Sequence, residues 1–261
     1  MRDRDPTIVV MPAYNAAATL QRIHAAIPHD LVDEVIVVDD ASSDETAAIA
    51  RRLPVTLVRH ERNTGYGGAQ KTGYRTALER RPGAVVLLHG DDQYDGRMIG
   101  PALEILRLGI CDVVLGNRIR TRREALDHGM PLVKYIANRS LTLLENLVSG
   151  QNLGEWHSGF RAYDRRVLET VPFVENSDDF VFDSQFLVQC VHFGFKIGDV
   201  PVPVRYFEEA SSISLAASTR YALKTMGTFA EWYAHRFGIR DVPRFRPSSR
   251  EASRASPRLA P

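Results

Sequence analysis

Leu87-Leu88-His89-Gly90-Asp91-Asp92-Gln93-Tyr94-Asp95 is an apolar strand that runs straight into a knot of carboxylates. Buried strands end in Val and Leu because they pack on both faces, and charge at such an end has no packing role. In open α/β sheets, ligands collect at the carboxyl ends of the strands. Two or three acids there suit a hard divalent cation, which takes oxygen ligands and shares them with substrate phosphates. The competing reading is a solvated turn, since Asp and Gly are common after strands.

Outward from this stretch the first half alternates. Residues 7–11, 34–38, 55–58, 84–88 and 112–115 are apolar and β-rich, and residues 16–27, 43–53, 68–78 and 97–108 between them have helical spacing. Strands separated by helices of this length predict parallel βαβ units. Asn15 is the expected N-cap of the first helix. After Gly116 the rhythm changes: residues 118–123 are basic and loop-like, and 132–148 predict a long amphipathic helix. Residues 156–163 predict a short strand rejoining the sheet, 180–193 a helix, and 196–204 a strand whose prolines place it at an edge. A last helix is expected over 221–237, and from Asp241 onward Pro, Ser and Arg predict a disordered tail. The expected division is a main domain over 1–210, a helical extension over 211–240 and a tail over 241–261.

The composition narrows the function classes. With 261 residues, 44% hydrophobic and 25% charged, the chain can bury one sizeable core. A net charge of +1 and no Lys/Arg stripe interleaved with aromatics argue against nucleic acid as a partner. Cys111 and Cys190 are too far apart for a disulfide framework or zinc cluster and read as small core residues. The histidines lack HxxxH spacing, which argues against a transition-metal site. No apolar h-region follows Met1, and no run approaches the roughly 20 residues of a spanning helix. The expected location is cytoplasmic, with attachment to the inner membrane face left open.

Three strand ends carry polar residues that a core does not demand: Pro12-Ala13-Tyr14-Asn15, Asp39-Asp40-Ala41-Ser42-Ser43-Asp44, and the Asp91 cluster. In a parallel sheet these ends share one rim. The combination suits a nucleotide diphosphate, with Tyr14 against the base, Asp39 or Asp40 accepting from base or ribose, and Asp91 holding Mg²⁺ or Mn²⁺. Taken singly, Tyr14 also reads as a half-buried aromatic and Ser43-Asp44 as a helix cap. Asn63-Thr64-Gly65-Tyr66-Gly67-Gly68-Ala69 opens a helix with three glycines, but Gln70 stands where a dinucleotide fingerprint needs glycine. The glycines, Gly67 among them, are expected to let the helix start approach a ligand.

Pro12-Ala13-Tyr14-Asn15, Val37-Val38-Asp39-Asp40-Ala41-Ser42-Ser43-Asp44-Glu45-Thr46 and Asn63 to Ala69 together resemble the N-terminal half of family 2 glycosyltransferases. That resemblance implies a GT-A fold, a Rossmann-like, mostly parallel α/β sheet flanked by helices, and a nucleotide-activated sugar as donor. Gly116-Asn117-Arg118, His157-Ser158-Gly159-Phe160-Arg161-Ala162-Tyr163, Phe182-Asp183-Ser184-Gln185 and Val200-Pro201-Val202-Pro203 resemble the dolichyl/polyprenyl-phosphate mannose and glucose synthase branch.

The implied activity is metal-dependent, inverting transfer of a hexose from a UDP- or GDP-hexose to polyprenyl phosphate. Transfer to a soluble or glycan hydroxyl, and nucleotide-sugar binding without catalysis, remain alternatives. The resemblance assigns Pro12, Tyr14, Asn15, Asp39, Asp40, Gly67, Asp91, Asp92 and Gln93 to the donor. The family's metal motif usually reads Asp-x-Asp before Gln, and here His89 stands at the first Asp. Asp91 is then the principal ligand, Asp92 assists, and His89 either ligates as a neutral imidazole or faces the diphosphate. Asp183 is implied as base or as acceptor-positioning residue, against the alternative of an acid favoured by a helix N-terminus. A phosphate acceptor is already anionic, whereas a hydroxyl needs a base worth ~10²–10⁴-fold. Arg118, Arg161 and Arg205 fall at or near motif positions facing acceptor or diphosphate. Glu208 and Glu209 offer Arg205 a local salt bridge instead.

A lipid acceptor also requires membrane access. Leu132, Val133, Ile136, Leu143, Leu144 and Leu147 form one apolar stripe, and Tyr221, Met226, Phe229, Trp232, Tyr233 and Phe237 another. Core packing is the default for both. The last helix is the expected interfacial element, because it is aromatic-rich and carries Arg220, Lys224 and Arg236.

Overall fold

The computed structural model describes residues 5–90, 94–119, 121, 123, 130–203 and 215–248. The strands are β1 (Thr7–Ala13), β2 (Glu34–Asp39), β3 (Thr56–Arg59), β4 (Ala84–Leu87), β5 (Val113–Asn117), β6 (Arg161–Asp164) and β7 (Ile197–Pro201). The helices are α1 (Leu20–Ala26), α2 (Thr46–Ala50), α3 (Tyr66–Glu79), α4 (Ile99–Arg107), α5 (Leu132–Ser149), α6 (Arg165–Thr170), α7 (Phe182–His192) and α8 (Leu215–Arg236).

The strands form one sheet in the order β3-β2-β1-β4-β6-β5-β7. β6 runs antiparallel between β4 and β5, and every other pairing is parallel. The proline-bearing β7 lies at an edge, where a missing N–H leaves no ladder bond unmade. Alternation along the strands divides the core in two. Ile8, Val10, Ile36, Val38, Val85 and Leu87 point to one face, under α3, α7 and α8. Val9, Met11, Val35, Val37, Val86 and Leu88 point to the other, under α1 and α4. Burial on both faces explains why these strands read as unbroken apolar runs.

Four expectations change. Asn15 is not a helix cap: it adopts φ 50°, and the helix starts later, after Thr19. Its side chain instead accepts from the Ser43 backbone at 3.0 Å, tying the loop after β1 to the loop after β2. The expected tail is ordered over 241–248, where Val242 and Phe245 are buried in the first core and Ser248 N donates to Thr170 O at 3.1 Å. Its polar composition hides two anchors.

The two apolar stripes also exchange roles. On α8, Phe229 and Trp232 are buried, and Met226 and Tyr233 pack against them. On α5 the default of core packing fails, because Leu132, Val133, Ile136, Leu143, Leu144 and Leu147 are 40–78% exposed. The buried residues of α5 are polar: Thr142, Glu145 and Ser149. Among the described residues, no helix is long and apolar enough to cross a membrane.

Candidate active site

β1, β2 and β4 are neighbours in the sheet, so their carboxyl ends share one rim as expected. Ala13 is paired with Asp39, and Gly90 N donates to Pro12 O at 3.3 Å. Pro12 thus serves as a seam between rim loops. Tyr14 stands 57% exposed at this rim, available as a stacking surface.

The two aspartates after β2 differ. Asp40 spends both oxygens on its own surroundings. Oδ1 accepts from His60 Nδ1 at 2.7 Å and Thr64 N at 2.8 Å, and Oδ2 from Gly65 N at 2.9 Å. Burial pushes this carboxyl up, but the hydrogen bonds from His60, Thr64 and Gly65 outweigh it and hold it below its ordinary value. Asp39 is equally buried, and its Oδ1 accepts from Ser42 N at 3.0 Å. Its Oδ2 lies 3.1 Å from Arg59 Nε yet completes no hydrogen bond. A buried carboxylate oxygen left in that state costs free energy unless something else meets it. Of the pair, Asp39 keeps one oxygen outside the hydrogen bonds of the loop, and Asp40 shapes the loop.

Gly67 does not face a ligand. A Cβ there would sit 2.5 Å from Ser177 O and 2.8 Å from Phe182 Cβ, and one on Gly65 would sit 2.6 Å from Asp178 O. Gly67 N already donates to Asp178 O at 2.7 Å. The glycines admit the protein's own 177–182 segment rather than a substrate, which corrects the expected role. Lys71 secures the same segment through Asp178 Oδ1 at 2.7 Å.

That packing delivers Asp183, at the start of α7, to the end of β4. Its Oδ2 accepts from Tyr66 Oη at 2.7 Å, its Oδ1 accepts from Gln70 Nε2 at 3.1 Å, and Arg161 Nη2 pairs with Oδ2 at 3.3 Å. Tyr66 Oη also lies 2.9 Å from His89 Nε2. Burial and the neighbouring Asp183 charge push the Tyr66 phenol well above its ordinary value, so it keeps its proton and donates a hydrogen bond with it to Asp183. A hydroxyl has a single proton to donate, so His89 must present Nε2–H to the tyrosine oxygen. In that tautomer the nitrogen has no lone pair to offer a metal. His89 instead opens a hydrogen-bonded line, His89 to Tyr66 to Asp183. Phe180 caps Tyr66 with ring centroids 4.8 Å apart.

Two expected phosphate-binding arginines are committed to the protein. Arg161 is completely buried and donates to Ser158 O at 2.8 Å, besides its pairing with Asp183. Arg118 donates through Nε to Glu155 Oε1 at 2.8 Å and through Nη2 to His157 O at 3.0 Å. Burial raises the Glu155 carboxyl, but the Arg118 charge and hydrogen bonds outweigh it and hold it below its ordinary value. Both arginines therefore brace the loop before β6. Gly159 of that loop donates to Tyr94 Oη at 2.6 Å, and a Cβ on it would stand 3.0 Å from the His89 ring.

Asp91, Asp92, Gln93 and Arg205 lie outside the described residues. Among the described residues, no group of three or more His, Cys, Asp or Glu is placed to hold a metal ion. By donor chemistry the carboxylates of Asp91 and Asp92 suit a hard divalent cation better than the His89 imidazole does. Sequence reasoning missed Tyr66, Gln70 and Glu155. For the first two a signal existed, since Tyr66, Gln70 and Tyr74 recur at i, i+4, i+8 along one face of α3.

The model of glycosyl transferase family 2 matches residues 8–171. The chain is 30% identical over 203 residues to the dolichyl-phosphate hexose transferase of Haloferax volcanii, covering 77% of this chain and 83% of that one. It is 26% identical over 217 residues to the UDP-N-acetylglucosamine–dolichyl-phosphate N-acetylglucosaminyltransferase of Methanococcus voltae, covering 77% and 86%. Among solved structures, glucosyl-3-phosphoglycerate synthase from Mycobacterium tuberculosis, in complex with Mn²⁺, UDP-glucose and phosphoglyceric acid, superposes with a TM-score of 0.64 at 20% identity. The overlap covers 87% of this chain and 79% of that one, and it shows a shared fold.

Proposed function

The chain belongs to glycosyl transferase family 2, and on that premise we propose that it transfers a hexose from a nucleoside diphosphate sugar to polyprenyl phosphate. The relatives from Haloferax volcanii and Methanococcus voltae, both named for dolichyl phosphate, support the acceptor class. The observation that carries the choice of acceptor is the state of Asp183. Its oxygens already accept hydrogen bonds from Tyr66 and Gln70, two of the roughly four lone-pair directions a carboxylate offers, and its charge is paired with the Arg161 guanidinium. A carboxylate so engaged positions other groups. A phosphate oxygen arrives as an anion and needs no base.

In the proposed reaction Tyr14 stacks on the base and Asp39 Oδ2 accepts a base or ribose donor. The acceptor oxygen attacks the anomeric carbon from the face opposite the diphosphate, with inversion. The new C–O bond forms as the bond to the leaving diphosphate breaks. Asp91 and Asp92 would hold Mg²⁺ or Mn²⁺, whose chemistry is to offset charge on that diphosphate. His89, through Tyr66, holds Asp183 in place beside the reacting groups.

The test is transfer of radiolabelled hexose from UDP- and GDP-hexoses to polyprenyl phosphate in detergent. Labelled product should extract with the lipid, and Asp91→Asn should lower turnover by ~10²–10³-fold. Label recovered only on soluble hydroxyl acceptors, or an Asp91→Asn variant as active as the wild type, would overturn the proposal.

A further inference from the structure

Helix α5 shows water the face that helices ordinarily hide. At 3.6 residues per turn its exposed positions, Leu132, Val133, Ile136, Ala137, Ser140, Leu143, Leu144 and Leu147, fall in one arc of about 140°. Ser140 is its one polar member, and the arc carries no charge. Soluble monomers seldom leave a contiguous apolar patch of this size without a use for it.

We propose that this arc is a bilayer-contact surface. Helix α5 lies along the boundary between headgroups and acyl chains, with its leucines turned into the lipid. The inference rests on the lipid-linked acceptor proposed above and adds the place where the protein meets the membrane carrying it. Three observations support a bilayer as the occupant. An uncharged arc on a helix about 27 Å long suits lying in the interface, and the polar residues on the opposite side bar it from spanning. The sequence between β5 and α5 carries Arg120, Arg122 and Arg123 against Glu124 and Asp127, a net positive stretch, and positive charge near an apolar helix in sequence is a pairing that anionic leaflets attract.

The third observation is how α5 is tied to the site. On its inward face, Asn138 Nδ2 donates to Glu155 Oε1 at 3.2 Å, the same carboxylate that holds Arg118. Glu145 Oε2 lies 3.0 Å from His157 Nε2, and His157 Nδ1 meets Tyr221 Oη at 2.9 Å. Tyr221 Oη in turn meets Ser184 Oγ at 2.7 Å, next to Asp183. A surface that seats α5 on the bilayer therefore also sets the height of the reaction site above it.

The test is flotation with vesicles of phosphatidylcholine, alone or with phosphatidylglycerol in roughly equal parts, without nucleotide sugar. The wild type should float, more strongly with phosphatidylglycerol. Leu143→Glu combined with Leu147→Glu should weaken partitioning by at least about tenfold. Leu108→Glu, an equally exposed leucine on another face, should stay within about twofold of the wild type. Because the arc is exposed, the double variant should melt as the wild type does. It should transfer hexose normally to a short, water-soluble prenyl phosphate and lose transfer to long-chain polyprenyl phosphate in vesicles.

Unchanged flotation of the double variant, or a wild type that does not float, overturns the inference. So does a wild-type dimer that the double variant dissolves without altering flotation, which would assign the arc to a second copy of the chain. If no prenyl phosphate is glycosylated while flotation still depends on the leucines, the proposed acceptor fails and the bilayer contact stands.

Discussion

Helices α5 and α8 carry apolar stripes of similar length, and the fold turns them in opposite directions. Beneath α8 lie the side chains of a packed core: Phe229 meets Trp156 with ring centroids 6.0 Å apart, and Trp232 Nε1 reaches His192 Nδ1 at 3.3 Å. Beneath α5 lies a loop. Leu153, Gly154, Glu155 and Trp156 belong to no strand or helix, so their backbone groups need partners from outside. Asn146 supplies two of them. Its Nδ2 donates to Leu153 O at 2.8 Å, and its Oδ1 accepts from Leu153 N at 3.0 Å and Trp156 Nε1 at 2.8 Å. Arg139 donates to Gly154 O. A helix resting on unsatisfied backbone must put its polar side down, and its apolar side is then left facing out. What a helix covers decides which of its faces is inside.

This contrast can be broken by single substitutions. The largest effect is expected on α8, where Trp232→Ala should cost ~3–5 kcal/mol in urea unfolding by opening a cavity in the first core. A loss below about 1 kcal/mol would mean that α8 does not depend on its apolar face. Next comes the polar underside of α5. Asn146→Ala strips partners from the buried Trp156 indole and the Leu153 backbone and should cost ~2–3 kcal/mol. If Asn146→Leu proved as stable as the wild type, the loop would not need a polar lid and the explanation above would fail. The smallest effect is expected on the outer side of α5, where Leu147→Ser should shift unfolding by no more than ~0.5 kcal/mol. A cost near that of Trp232→Ala would show that the arc is buried in solution.

The same distinction between a pattern and its surroundings runs through the active site. The rim of β1, β2 and β4 was legible because charge at the end of an apolar strand is anomalous in any context. The division of labour between Asp39 and Asp40 was not, since both follow the same strand in adjacent positions. It depends on His60 and Thr64 arriving from other loops to saturate one carboxylate, while an oxygen of the other has only the Arg59 charge beside it. Gly65 and Gly67 announced a close approach correctly, but glycine cannot say what approaches. Here it is the 177–182 segment. Arg161 shows the limit most plainly. A guanidinium in a motif reads as a phosphate fork, yet this one is sealed behind Asp183, where its charge fixes a carboxylate rather than a ligand.

From the amino-acid order alone follow the alternation of strands and helices, the edge position of β7, the rim where three strand ends meet, and the family resemblance. These are consequences of local periodicity and of residues placed where packing would not put them. Only the folded chain decides that α5 wears its leucines outside, that His89 speaks to Asp183 through Tyr66, and that Arg118 is held by Glu155. Each of these depends on contacts between segments far apart in sequence. Amphipathicity states that a helix has two faces, but which one is buried is settled by the chemistry of whatever lies against it.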